Sequence, residues 1–274
     1  MLSKIGRLDS DDIKELDVLL DEIFKNLDKN QTAAAEKKLI KVSRTPNYFI
    51  REYVGKKLIQ YKNPEIIVPI AEKMLKHKMY GVRAAAIFFF FRCYEEELDK
   101  LFAIVQDNFE SVPWEVETII NSLWRKHPDF MKEKMPEWIA SDNYKKRSLS
   151  FHGMENISQS DPVYIMNFIS QAIDDDRVEV QKKITHILTQ VSRSNPIVVF
   201  PYVREWLSTA DDQRIKTIWV SMKKLANIVL QKTRKRQPDD FTMLTVQTFT
   251  DWRNDENEKV NDMGERLYRI INRH

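Results

Sequence analysis

With 274 residues, 42% of them hydrophobic and 11% aromatic, the chain has ample material for a folded core, and its 5 glycines leave little for the tight hairpins of a β fold. A net charge of +3 from 44 basic and 41 acidic residues singles out no class of partner, and one cysteine, Cys93, excludes an internal disulfide framework and fits a reducing compartment. Asp9, Asp11, Asp12, Glu15 and Asp17 stand where a secretory signal needs apolar residues, and the longest apolar run, residues 84–91, is far below the roughly 20 needed to span a bilayer, so a cytoplasmic protein without a membrane partner is expected.

In chain order, residues 1–46 read as N-terminal capping helices. Ile13, Leu16, Leu19, Leu20, Ile23, Phe24 and Leu27 recur at helical spacing, and a second helix covers residues 33–42. Regular helix pairs follow at 48–61 with 64–76, 81–94 with 98–109, 114–126 with 128–140, and 143–157 with 162–173. The run at 84–91 reads as a central helix covered on all sides, with Cys93 as a small buried hydrophobe. Gly153 predicts a kink or an early end in its helix. Asp174, Asp175 and Asp176 are expected to cap the next helix. Residues 180–206 hold one complete unit: Val180, Ile184, Ile187, Leu188 and Val191 share a face, and Asn195-Pro196 starts the second helix, with Asn195 as acceptor for free N–H groups. A helix at 211–230 comes next, then a loop or fraying end with Lys232, Arg234, Lys235 and Arg236. Two weaker helices at 241–252 and 258–271 close the chain.

The punctuation is periodic. Asn63-Pro64, His127-Pro128, Asp161-Pro162 and Asn195-Pro196 place prolines 64, 34 and 34 residues apart, with the missing marker expected near Glu95, Glu96 and Glu97. The other helix of each pair aligns at Ile50, Val82, Val116, Lys146, Val180 and Arg214. Two helices per repeat at this period predict an all-α fold, an α-solenoid. A single curved domain is expected over 1–274, with repeats at 47–230 and C-terminal helices at 231–274.

Cations recur at equivalent repeat positions: Arg51, Arg83, Lys145, Lys146, Arg147, Lys182, Lys183, Arg214 and Lys216. Equivalent positions in a solenoid line one face. Cations near helix starts oppose the macrodipole, so something must offset them. Bound phosphates would do so, and so would acidic residues of the neighbouring repeat. Both readings stay open. His77, His127, His152 and His186 are dispersed, so no metal site is expected. Neither a glycine-rich phosphate loop nor a nucleophile elbow occurs, and no cofactor is expected.

The segment QKKITHILTQVSRSNP at residues 181–196 resembles a Gln-Lys-Ala-Ile-Gly-Trp-x-Leu-Arg-Glu segment ending in Asn-Pro of the HEAT-like-repeat DNA alkylation repair proteins, the AlkD group of DNA glycosylases with the related AlkC group. Trp114-Glu115-Val116-Glu117 is similar to their Trp-Asp-x-Val-Asp motif, and residues 144–149 to a segment with paired arginines. The likeness spans residues 48–230. It implies a C-shaped, right-handed α-α superhelix, monomeric, that acts on duplex, damaged or branched DNA and excises N3- or N7-alkylated purines by hydrolysing the N-glycosidic bond.

In that family an inner-face Asp, an Arg and tryptophans surround the damaged nucleotide. Glu117 falls where the Asp would be, Arg147 where the Arg would be, and His186 at the place of the second Trp. Trp114 matches the first, in a motif one residue short. A carboxylate stabilises the positive charge that develops on the sugar as the bond breaks, and aromatic faces hold a cationic base. His186 is a weaker aromatic, and protonated it would repel that base. For Glu117 an ordinary ion pair is the competing reading, and for Trp114 core packing. Three functions therefore stand side by side: an alkylpurine-excising enzyme, a non-catalytic binder of DNA structure, and a protein-binding scaffold.

Overall fold

The computed structural model describes residues 2–273; Met1 and His274, the outermost residues of the expected end caps, lie outside it. Among the described residues there are fifteen α-helices, two short 3-10 segments and no strand. Two compact units divide the chain, residues 1–119 and residues 120–274. The division falls inside one helix.

The first unit contains α1 (Ser10–Asp28), α2 (Thr32–Ser43), α3 (Tyr48–Leu58), a 3-10 segment (Pro64–Ile67) running into α4 (Val68–Leu75), α5 (Tyr80–Cys93), α6 (Leu98–Asn108) and the first half of α7 (Pro113–Lys126). The second contains the rest of α7, α8 (Pro128–Ile139), α9 (Tyr144–Ser150), a 3-10 segment (Met154–Ile157), α10 (Pro162–Ser170), α11 (Val178–Ser194), α12 (Pro196–Ser208), α13 (Asp212–Arg234), α14 (Asp240–Arg253) and α15 (Glu258–Ile271). The first helices of the repeats start at Tyr48, Tyr80, Pro113, Tyr144, Val178 and Asp212, in phase with the sequence ladder.

Alternate helices stack, as a solenoid requires. In the second unit α9, α11, α13 and α15 pack in succession and α10, α12 and α14 form the layer beside them. In the first unit α5 packs against α2, α3, α4 and α6. Its residues 84–91 are all buried, because a helix apolar on every side is stable only when neighbours cover the whole of it. Cys93, at its end, is half-buried instead, and burial pushes its thiol pKa up.

The early end expected at Gly153 is found, and two local expectations are corrected. The helix expected at 143–157 ends at Ser150, because Gly153 adopts φ +83 and lies where a Cβ would stand 2.8 Å from Asn121 Cα. Asn195 is the N-cap of α12 but its side chain accepts no N–H of the first turn; its amide donates to the carbonyl of Ser158 at 2.6 Å, and Pro196 at the first helical position starts the helix without a donor to satisfy. The aspartates at 174–176 do not accept from the first turn of α11, whose N-cap is Arg177; Asp174 and Asp175 instead receive arginines from other helices. Glu97 does precede α6, at the expected marker. Lys232 and Arg234 fall in the last turn of α13, which Arg236 closes at φ +55, and Lys232 pairs with Asp239, the N-cap of α14.

Candidate nucleic-acid interface

The cationic ladder separates into two kinds of side chain. Its arginines sit two or three residues into their helices and fold back on their own loop. Arg83 donates to the carbonyls of His77 and Lys78 at 2.8 and 3.0 Å and to Ser111 at 3.2 Å. Arg147 donates to the carbonyls of Ser141 and Asp142 at 2.9 and 3.0 Å and to Asp175 Oδ2 at 2.6 Å. Arg214 donates to both oxygens of Asp174 and to Thr209. In each case a planar five-donor fork ties the start of one helix to the loop before it and to an acceptor in an adjoining repeat, ahead in the chain for Arg83 and Arg147 and behind for Arg214. Those bonds hold the Arg147 and Arg214 guanidiniums above their ordinary pKa and the Asp174 carboxyl below its own.

Arg51 is the extreme case. It is 4% exposed, its Nη2 lies 2.8 Å from Oε1 of the fully buried Glu115, and its guanidinium stands 5.1 Å from the Tyr80 ring centroid. Tyr80 Oη donates to the other Glu115 oxygen at 2.5 Å. Burial first, and that bond second, push the Tyr80 phenol above its ordinary pKa. Arg51, Arg83 and Arg214, expected to meet phosphate, are thus each engaged by carboxylates or carbonyls of the protein. Arg147, expected beside a reacting nucleotide, is engaged in the same way.

The lysines behave differently. Lys182 on α11 and Lys216 and Lys224 on α13 line a cleft of about 160 Å³ whose other lining residues are neutral, among them Gln181, Thr185 and Thr217. Lys182 and Lys216 are exposed, and among the described residues neither has an ion-pair partner. Sequence reasoning missed Lys224, eight residues beyond Lys216 and therefore on the same helix face, a spacing that would have found it. Lys145 and Lys146 begin α9, the helix that packs on α11, with the Lys146 ammonium 5.9 Å from the Trp138 ring centroid. Lys183 Nζ lies 2.8 Å from His152 Nδ1. His186 is exposed on α11, one turn beyond Lys182.

The acidic motif also divides. Glu115 turns inward, whereas Glu117, two residues on and hence on another face of α7, is partly exposed. Trp114 is 68% exposed, so it is not a core residue. Trp114, Glu117 and Thr118 share one helix face, and the Thr118 hydroxyl bonds the Trp114 carbonyl and the Tyr48 hydroxyl at 3.0 Å each. Trp114 and Glu117 belong to the first unit, Arg147 and His186 to the second. Among the described residues no group of three or more His, Cys, Asp or Glu is arranged to hold a metal, and no helix is long and apolar enough to cross a membrane.

An all-helical repeat protein with a lysine-lined cleft and a surface tryptophan beside a carboxylate is the class that fold and site define. The DNA alkylation repair enzyme family model matches residues 49–236, and the chain belongs to that family. No curated protein matches it. Similar solved structures include an engineered protein (12% identity, 92% of this chain and 68% of that one, TM-score 0.36) and a designed armadillo repeat protein in complex with the peptide (KR)4 (14% identity, 94% and 100%, TM-score 0.26).

Proposed function

We propose that this protein binds duplex DNA by its phosphates through the lysines of α9, α11 and α13, and excises alkylated purines by hydrolysis of the N-glycosidic bond. The observation that carries the reading is the cleft that Lys182, Lys216 and Lys224 line together, without a carboxylate among its lining residues. Each phosphate neutralised there releases counterion, which favours binding and makes it salt-dependent. Membership of the DNA alkylation repair enzyme family supports alkylated DNA as the substrate.

For the chemistry, Trp114 offers an open aromatic face to a cationic base, an attraction of about 0.5–2 kcal/mol. Glu117, on the same helix face, is the carboxylate that stabilises charge on the sugar or orients the attacking water. Water adds at C1′, the C1′–N bond breaks, and the cationic purine leaves neutral by taking the bond's electron pair. His186 contributes an exposed ring on the lysine-bearing helix.

Incubation with DNA carrying 7-methylguanine tests both halves. Release of the base, abolished in Glu117→Gln with duplex affinity intact, is expected. A specific observation favours a second reading, a binder without catalysis: Arg147 is held by Asp175 and two carbonyls. Binding to duplex with no release of 7-methylguanine would select that alternative. Lack of affinity for any duplex at low salt would sink both.

A further inference from the structure

A second cleft, of about 340 Å³, lies in the first unit between the N-terminal segment and α3, apart from every residue assigned above. Helix α3 uses Ile50, Val54 and Leu58 for the core. On its other side Phe49, Glu52, Tyr53 and Lys56 recur at steps of three and one and line the cleft, with Arg7 and Leu8 opposite. Phe49 is 38% exposed although the core of its helix is already filled.

The wall that faces α3 is built, not loose. The buried Asn47 amide donates to the carbonyls of Lys4 and Gly6 at 2.9 Å each, while its oxygen accepts from the N–H groups of Phe49 and Ile50. The Thr45 hydroxyl donates to the Leu2 carbonyl at 2.7 Å. Gly6, at φ +115 in open space, makes the turn that brings Arg7 and Leu8 to the cleft. One residue thus starts α3 and fixes the strap across it. Tyr53 is immobilised too, its hydroxyl donating to Asp17 at 2.6 Å.

We propose that this cleft takes one unpaired nucleotide of a DNA strand, with the base against Phe49 and Tyr53 and the phosphate between Arg7 and Lys56. Two aromatic rings and two cations are the pairing that single-stranded nucleic acid uses, since every base has a face to stack and every nucleotide a charge to neutralise. Glu52 supplies an acceptor for N–H groups on a base edge. The inference rests on the proposed DNA partner and adds a preference for DNA with a strand end, gap or branch.

Fluorescence anisotropy on one duplex, blunt or with a three-nucleotide single-stranded overhang, tests it. The overhang should bind about tenfold more tightly, a ratio consistent with stacking of one base. Phe49→Ala, and separately Arg7→Ala with Lys56→Ala, should erase that ratio and leave blunt-duplex affinity unchanged. Equal affinities for the two DNAs in the wild-type protein, or a Phe49→Ala variant that weakens both alike, would overturn the inference while leaving duplex binding standing. No affinity for either DNA removes the DNA reading and this one together. Competition by a free deoxynucleoside monophosphate as effective as the overhang would assign the cleft to a small molecule and overturn the strand-end proposal.

Discussion

Arg51 in the first unit and Arg147 in the second hold the same place in their repeats, three residues into the first helix, yet they meet water differently. Arg51 and Glu115 are 4% and 0% exposed, whereas Arg147 and Asp175 keep 18% and 7% of their side chains open. The first pair is a buried charge cluster, completed by a phenol and by aromatic faces. The second is a clamp at the edge of the surface that carries Lys145 and Lys146. The cations near the helix starts therefore serve two ends: arginine, with its rigid fork, fastens backbone, and at Lys182 and Lys216 lysine, a hydrated point charge on a flexible stem, faces solvent.

The largest expected effect breaks the buried pair. Glu115→Ala strands Arg51 without a counter-charge and should lower unfolding free energy by about 3–5 kcal/mol, read from urea denaturation. The matched change, Asp175→Ala, leaves Arg147 within reach of water and should cost about 1.5 kcal/mol. Equal losses in the two variants would erase the contrast between the units. Next, Lys182→Glu with Lys216→Glu should reduce duplex affinity at least about tenfold and flatten the dependence of log affinity on log salt by about 2, with stability altered by no more than about 0.5 kcal/mol. A collapse in stability would show that these lysines fasten structure as the arginines do.

The smallest effect concerns acid. Lys132, 2.8 Å from Asp161, holds that carboxyl below its ordinary pKa. A carboxyl lowered in the folded state stabilises above the unfolded value near 4, and the contribution disappears as pH falls through the folded value. Asp161→Asn should therefore narrow the gap in stability between neutral and acid solution by a modest amount, because the pair is partly hydrated. A gap that stays the same would remove this pair from the second unit's acid sensitivity.

Much of this architecture was legible in sequence because each repeat writes its own punctuation. Proline at the first helical position and the apolar stripe of α11 depend on neighbours in the chain, and both hold. What failed required partners from elsewhere. Asn195 and the aspartates at 174–176 look like caps, but better-placed donors and acceptors in adjoining repeats claim them. For the arginines, likewise, local spacing reports which residues align, not which carboxylate or carbonyl of an adjoining repeat they bond. Nor does the four-residue motif reveal that Glu115 turns inward while Glu117 stays partly exposed.

The junction at residues 174–176 deserves a consequence of its own. Arg147 comes to it from the preceding repeat and Arg214 from the following one, while the Asp175 carbonyl accepts amide N–H groups from both Gln181 and Gln213. Connections between helices ordinarily absorb added residues at little cost. This one is a coupling with four lines attached, so a single inserted residue would slip all of them at once. An insertion at this short link should therefore destabilise the second unit more than a change confined to one helix-to-helix contact.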